Sequence, residues 1–460
     1  MESLAVPRVL FDHYIAGALH GGKTAFHALA EIDLELSQVP HSGAAVALVN
    51  RKRRSLCELL ATRFPAVAAQ ALTLRTLNLL LARYHFRARN AWLASRPFGL
   101  VVDPSNMCRL ACPGCVHSAR SEALQLFDWH KGTLTEDRFS ALLRACAPWA
   151  VGIYFCDYGE PLLNLNTPKL IRQAKQYLLS TALSTSLSVR RFDAEAYVES
   201  CLDFMVLSID GATQPVYERF RRNGNLELVL ENVRRLVSAK RKLGKRTPVL
   251  SWNFLAFEHN VHEIPEARRM ARRLGVNQFR VVNPFAVSWD EPDIQPARIA
   301  GRVHRFDWQS ITNMPGNWNP FPEEMQAEAI GQAFEKGWAA GAASESPGIP
   351  GHTCHWLYKN MVMDATGRVL PCCGAPRPDT NLVFGQFSGN GADPFNSERY
   401  VQARLFFRGA MPPADSPPHC VDCDWDQTVV NIGGPEIRRY FRAADPAFFN
   451  RKSVRLLSDW

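Results

Sequence analysis

The sequence has no run of about 18 uncharged apolar residues, the length a membrane-spanning helix needs. Its longest apolar stretch, Leu72 to Leu81, is broken by Arg75 and followed by Arg83, so no such helix is expected. A secretory start is also missing: the opening residues carry Glu2, Arg8 and Asp12 rather than a basic end, an apolar middle and a small-residue cleavage site. A cytoplasmic chain is therefore expected. The basic runs Arg51 to Arg54 and Lys240 to Arg246 lack the interleaved aromatics of a single-strand binder, and the net charge of +9 is modest for 460 residues. No nucleic-acid partner is expected. The runs read as solvated faces or, alternatively, as landing points for an acidic electron donor or an anionic substrate. There is no internal repeat.

Cysteine is not scarce. Twelve cysteines in a chain of the reducing cytosol are not expected to pair as disulfides, so their spacing must say what they do. Seven fall into tight sets: Cys108, Cys112 and Cys115; Cys372 and Cys373; Cys420 and Cys423. Cys354 groups with the later sets. Cys57, Cys146, Cys156 and Cys201 stand singly among apolar residues and read as small core hydrophobes.

The length calls for two or three domains. Residues 1–95 carry helical patterns at Ala25 to Leu36, Lys52 to Phe64 and Ala69 to Trp92. The last is amphipathic, suited to packing on a larger body or to laying Arg75, Arg83, Arg87 and Arg89 on an anionic membrane surface, the less favoured choice. From 97 to 290, apolar strand-like runs alternate with helical stretches six times. The strands are Phe98 to Asp103, Val151 to Phe155, Thr181 to Leu187, Phe204 to Ile209, Pro248 to Ala256 and Gln278 to Val282. That alternation predicts an α/β fold, a partial (β/α)6 TIM-like barrel whose chemistry sits on loops after the strand ends. Residues 291–350, rich in Pro, Gly, Trp and Asn, read as a loop-heavy connection. Residues 351–430 read as a small metal-stapled hairpin domain and 431–460 as a tail.

The loop after the first strand reads Cys108-Arg-Leu-Ala-Cys112-Pro-Gly-Cys115. Three thiolates so close in sequence can converge on one centre, and soft thiolates select iron–sulfur clusters or zinc. A zinc site would want a fourth ligand, for which His117 is available. Three thiolates on a four-iron cube instead leave one iron open.

This C-x3-C-x2-C loop resembles the defining motif of the radical S-adenosylmethionine (radical SAM) superfamily. The resemblance implies a [4Fe-4S] cluster on Cys108, Cys112 and Cys115 whose open iron chelates S-adenosylmethionine. Reductive cleavage of that cofactor then gives a 5′-deoxyadenosyl radical that takes a hydrogen from the substrate. Gly159-Glu160-Pro161 after the second strand resembles the family's GGEP segment, with Tyr158 in place of its first glycine, which implies contact with the cofactor's amino group. Ser184-Thr185-Ser186 resembles a Ser-Thr-Asn run that reaches the cofactor. Ser208-Ile-Asp210-Gly211, followed by Tyr217 and Arg221, resembles further cofactor-binding segments. Asp210 reads equally as a helix cap, and Arg221 as a partner of the cofactor carboxylate or as a surface residue.

Cys354, twelve residues, Gly367, four residues, Cys372, then Cys420-Val-Asp-Cys423, resembles the SPASM and twitch domains that follow some radical SAM barrels. It implies a second [4Fe-4S] cluster on Cys354, Cys372, Cys420 and Cys423, with Cys373 the alternative to Cys372 and zinc the alternative metal. Four thiolates leave no open iron, which suits an electron relay. The expected reaction is oxidation of a small molecule, served by a flavodoxin- or ferredoxin-like electron donor. The alternatives are peptide maturation by crosslinking or epimerisation, and a non-catalytic metal scaffold.

Overall fold

The computed structural model describes residues 35–39, 41–61, 84–118, 131–150, 152–177, 179–282, 294–297, 304–307, 356–372, 383–387 and 393–417, with the single positions Ile32, Arg75, Asn78, Leu81, Ala82, Pro284, Cys354 and Cys420. Cys373, Cys423, the segment 431–460 and most of the expected helix Ala25 to Leu36 lie outside these residues.

After helix α1 (Ser42–Ala61), strand alternates with helix: β1 (Gly99–Val102), α2 (Glu136–Cys146), β2 (Gly152–Phe155), α3 (Thr167–Gln176), β3 (Ser180–Thr185), α4 (Ala194–Glu199), β4 (Phe204–Ser208), α5 (Gln214–Phe220), α6 (Leu226–Lys242), β5 (Val249–Leu255), α7 (Ile264–Leu274) and β6 (Gln278–Val282). β1 to β6 pair side by side and parallel, as six βα units require. Among the described residues the sheet does not close on itself, so the barrel is partial.

The helices start where the sequence supplies caps. Thr135 accepts from the Arg138 amide at the head of α2, Asp193 from Ala196 at α4, and Asn225 from Leu228 at α6. Strand alternation then sorts the two faces of the sheet. One face, with Leu100, Phe155, Leu183, Leu207, Trp252 and Phe279, packs on helix residues such as Phe139, Leu170 and Val233. The other face carries Tyr154, Ser184, Ser208, Ser251, Asn253 and Arg280 and is polar.

Two parts depart from the sequence reading. The loop-heavy connection contains a strand, β7 (His304–Asp307), antiparallel to β6. The hairpin of the C-terminal region, β8 (Asn360–Met363) and β9 (Arg368–Leu370), follows the short helix α8 (Trp356–Lys359) and joins the barrel sheet itself, because β8 pairs parallel with β1, Gly99 against Asn360. β10 (Gly385–Gln386) extends it, and α9 (Glu398–Phe407) packs beneath. Gly367 turns the hairpin at φ +91°, a conformation that favours glycine.

The reading of Arg75 as a membrane-facing residue is corrected. Its side chain is buried and donates to the Tyr177 carbonyl and to the Ala147 carbonyl at 3.1 Å, so it ties the N-terminal region to the barrel. No described helix is long and apolar enough to cross a membrane.

Candidate active site

The cysteine loop leaves the C-terminal end of β1, where the βα plan puts chemistry. Cys112 is buried, and Cys108 and Cys115 pack beside it against one apolar patch of Leu110, Phe220, Phe257 and Ile294. The Cys115 amide donates to the Cys112 carbonyl at 3.1 Å, closing the loop between them. Burial raises all three thiol pKa values, that of Cys112 to about 12, so the protein alone holds thiols rather than thiolates. The guanidinium of Arg221, with Nη1 3.9 Å from Cys112 Sγ, opposes that rise and favours the thiolate a metal requires.

Among the described residues no three His, Cys, Asp or Glu side chains stand close enough to grip a single metal ion. A zinc ion draws its thiolates in to Zn–S distances of about 2.3 Å, whereas a four-iron cube is held at its corners by more widely set thiolates. The fourth zinc ligand proposed from sequence is also engaged: His117 Nε2 donates to the Tyr158 carbonyl at 2.9 Å. The donor set fits a cluster better than zinc.

Arg221 and Asp210 act on each other. Arg221 Nε lies 2.5 Å from Asp210 Oδ2, both side chains largely buried, and Asp210 Oδ1 accepts from the Leu255 amide at 2.6 Å. Burial works against charge on both. It lifts the Asp210 pKa in spite of Arg221, while for Arg221 the Asp210 and Cys112 charges outweigh it, so the guanidinium stays cationic. Asp210 is thus the anchor of Arg221 rather than a helix cap: the cap position before α5 is Thr213, whose hydroxyl donates to Glu263 Oε1 at 2.5 Å.

Glu160 is equally committed. Its Oε1 accepts from Thr185 Oγ1 at 2.6 Å and the Leu162 amide at 3.2 Å, and its Oε2 from Ser186 Oγ at 2.6 Å and the Ser186 amide at 2.9 Å. A carboxylate offers about four acceptor positions, and these are filled. An ammonium brought here would have to share them. Glu160 and Ser186 therefore serve each other, clamping the loop after β2 to the end of β3, and Thr185 joins them. Gly159 lets that loop pass: a Cβ there would lie 1.6 Å from the Ser105 carbonyl oxygen. Pro161 opens a short 3-10 turn behind it. Ser184 Oγ and Ser208 Oγ lie 3.4 Å apart on the polar face.

Sequence reasoning assigned no role to Tyr217, although its motif was legible. The side chain is fully buried, its hydroxyl makes no hydrogen bond, and it faces Gly224, where a Cβ would come within 3.0 Å of that oxygen. Its pKa is raised first by burial, with Arg221, Asp210, Cys112 and Glu160 all close enough to act on it. An orphaned buried hydroxyl amid these groups is a donor left for a polar ligand. Asn253 Oδ1 and Ser251 Oγ are likewise buried without partners on the polar face.

Of the later cysteines, Cys354 and Cys372 pack against an apolar cluster of Val101, Trp356, Val362 and Leu370, against which Tyr154 and Tyr158 also pack. Cys372, Cys420 and Cys354 all act on buried Tyr400, whose hydroxyl donates to the Leu370 carbonyl at 2.8 Å. Three of the four expected ligands are thus near enough to the same tyrosine to act on it electrostatically.

Residues 102–253 match the family model of the Radical SAM superfamily, and the chain carries a radical SAM domain. Over 181 residues, 39% of the chain, it is 24% identical to a probable GTP 3′,8-cyclase from Methanococcus maripaludis. That match spans 56% of the cyclase, a little over half its length. Over 292 residues, 62% of the chain, it is 26% identical to the PqqA peptide cyclase of Gluconobacter oxydans, of which 72% is covered. Among solved structures, Streptococcus suis SuiB bound to S-adenosylmethionine superposes with a TM-score of 0.43 at 15% identity, covering 65% of each chain.

Proposed function

We propose that this chain is a radical enzyme in which Cys108, Cys112 and Cys115 hold a [4Fe-4S] cluster and S-adenosylmethionine binds beside it. The observation that carries this reading is the meeting of three cysteines in one patch under the Arg221 guanidinium, 3.9 Å from Cys112 Sγ. When bound, the cluster and cofactor together would supply a 5′-deoxyadenosyl radical, strong enough to take hydrogen from an unactivated C–H bond.

The chain's own residues would do the rest. Arg221, fixed by Asp210, offers positive charge, and the Tyr217 hydroxyl offers a donor; both suit the carboxylate of an amino-acid ligand. Glu160, with Thr185 and Ser186, keeps the β2 and β3 loops in place around that ligand. Ser208, Asn253 and Arg280, in register across β4, β5 and β6, line the polar face where a hydrophilic substrate would lie.

Cys354, Cys372, Cys420 and Cys423 would hold a second cluster, and the apolar cluster that Cys354 and Cys372 share with Tyr154 and Tyr158 supports a link to the same polar face. An electron taken from a substrate radical could leave by that route, which favours net oxidation of the substrate. One observation favours a peptide substrate instead: the match to the PqqA peptide cyclase is longer than that to the GTP cyclase.

Anaerobic reconstitution with iron and sulfide, then reduction with dithionite in the presence of S-adenosylmethionine, should release 5′-deoxyadenosine. The Cys108→Ala, Cys112→Ala, Cys115→Ala variant should release none. Undiminished cleavage by that variant, or none by the parent chain with its clusters loaded, would end this reading.

A further inference from the structure

On the polar face of the sheet, four side chains of adjacent strands form one row. Ser184 Oγ of β3 lies 3.4 Å from Ser208 Oγ of β4. In register, Ser208 stands beside Asn253 of β5, and Asn253 beside half-buried Arg280 of β6. Residues two apart on a strand share a face, so Leu255 continues the β5 side of this row. Leu255 packs on the apolar patch that holds Cys108, Cys112 and Cys115, which puts Asn253 one two-residue step deeper, about 7 Å along the strand. A further step in, Ser251 is fully buried and its hydroxyl makes no hydrogen bond; Asn253 Oδ1 is buried without a partner as well. Leaving such groups unsatisfied is costly, and a bound polar molecule removes the cost.

The row is positive at its β6 end. β7 runs antiparallel to β6, with Arg305 directly opposite Arg280 and Asp307 opposite Gln278 one step deeper. Two arginines and one aspartate occupy that corner of the register, so one positive charge is in excess. Among the described residues, β3 to β6 place no carboxylate on this face. The acids nearest the cysteines are committed elsewhere: Asp210 to Arg221, and Glu160 to Thr185 and Ser186. Asp103, Asp157 and Asp364 belong to the other side of the sheet, after β1, β2 and β8. There burial favours the protonated form of Asp103 and Asp157, and Asp364 Oδ2 accepts from Arg368 Nε at 2.6 Å. The basic run Lys240 to Arg246, which the sequence offered as a landing point for an anionic substrate, precedes β5 and so lies at the end of that strand away from Leu255. Lys240 is also spent on the fold, donating to the Pro248 carbonyl at 2.7 Å and to Asn277 Oδ1 at 3.0 Å.

We infer that Ser184, Ser208, Asn253 and Arg280 bind an oxyanion of the substrate, a carboxylate or a phosphate, so that the molecule acted on is an acid rather than a neutral or cationic one. The inference rests on the proposed function, since it takes this face as the substrate's. A guanidinium presents paired N–H donors that match two oxygens of such a group, and the serine hydroxyls donate to the same oxygens. Asn253 Oδ1, an acceptor, takes an O–H or N–H next to the oxyanion, which a bare mineral ion lacks. In a cleft shielded from water the charge pairing is stronger than on the surface. The row also fixes direction. With its acid group held at Arg280, deeper than Leu255, the substrate extends toward the cysteines, and the carbon brought to them lies a few bonds from that group.

The test uses the full reconstituted chain with S-adenosylmethionine added, and two probes, inorganic phosphate and acetate, whose binding is read by calorimetry at low ionic strength. At least one probe should bind, and Arg280→Met should weaken it about tenfold or more. Arg280→Lys, which keeps the charge but not the fork, should recover part of that loss. Binding of phosphate alone assigns a phosphoryl substrate, and of acetate alone a carboxylic acid. Lys245→Met with Arg246→Met removes two exposed cations at the other end of β5 and should leave the affinity unchanged. Binding of neither probe, parent-like affinity in Arg280→Met, or equal loss in the Lys245 and Arg246 variant would overturn the inference. Should Arg280→Met not fold, the pair Ser184→Ala with Ser208→Ala decides, because it removes two donors and no charge and must still weaken binding about threefold or more. Failure of the parent chain to release 5′-deoxyadenosine would count against the proposed function and leave the calorimetry standing.

Discussion

At Asp103, between β1 and the cysteine loop, a fully buried carboxylate accepts the Tyr158 amide at 3.3 Å and the Gly159 amide at 3.2 Å. Burial, with Asp364 nearby, raises its pKa to about 8 against those two hydrogen bonds. Asp157, whose two oxygens are buried without partners, is raised by burial and by Asp103. A carboxyl that holds its proton more tightly folded than unfolded stabilises the fold fully below the unfolded value of about 4. That contribution is lost as pH rises toward about 8, at up to about 1.4 kcal/mol per pH unit. Asp103→Asn should therefore flatten the fall in stability between about pH 6 and about pH 8, measured by urea unfolding at several pH values. An unchanged slope would mean that another group carries that proton. The same scale shows what sequence could not tell. Glu160, Ser186, Asp210 and Arg221 were all legible as candidate site residues, but motif letters do not say which side chains are spent on one another. Only the distances show that Glu160 is saturated by Thr185 and Ser186, that Asp210 is anchored to Arg221, and that the Tyr217 hydroxyl is the group left over.

Among elements, β1 to β6 were readable to within two residues at either end because each is a short apolar run flanked by turn residues. β7, reading His-Arg-Phe-Asp, and α9, with Tyr400, Ala403, Arg404, Phe406 and Phe407 all buried, were not. A strand with little apolar content gives no alternation to detect, and a helix buried on most sides gives no stripe. The centre of α9 is Arg404, fully buried, which donates to the carbonyls of Leu357 at 2.9 Å, Ala91 at 3.0 Å and Phe395 at 2.7 Å. Its guanidinium lies 4.9 Å from the ring centroid of Phe395 and 5.3 Å from that of Tyr400. Burial lowers its pKa to about 10, so it remains charged at neutral pH. Arg404→Met keeps the length but leaves three buried carbonyls without a donor, at about 1–3 kcal/mol for each orphaned acceptor. The expected loss is about 3 kcal/mol or more of unfolding free energy, with weaker iron retention by the later cysteines if they hold the proposed second cluster. A change below about 0.5 kcal/mol in urea titration would show that α9 docks without this residue.

For the whole molecule, the two clusters proposed above would give about eight irons per chain after reconstitution, falling to about four in a Cys420→Ala, Cys423→Ala variant. Iron and sulfide assay with metal analysis checks this; tight zinc accompanying about four irons in the parent would assign the later cysteines to zinc. The six-unit barrel was legible because its signal is periodic. The junction was not: nothing in the spacing of Cys354, Gly367 and Cys372 says that their hairpin pairs with the first barrel strand, since a sheet partner more than 250 residues away leaves no local trace.

That pairing also governs how the chain must be born. β1 is made early, yet its second neighbour, β8, begins only at Asn360, opposite Gly99. At a synthesis rate of about 5–20 residues per second, β1 waits on the order of 13 to 50 s with one edge bare. Over that interval a nascent chain presents the strand that leads into the cysteine loop to any other strand able to add to it. A polypeptide arrested before residue 360 would keep that edge for good, so premature termination should yield self-associating fragments rather than a small working barrel.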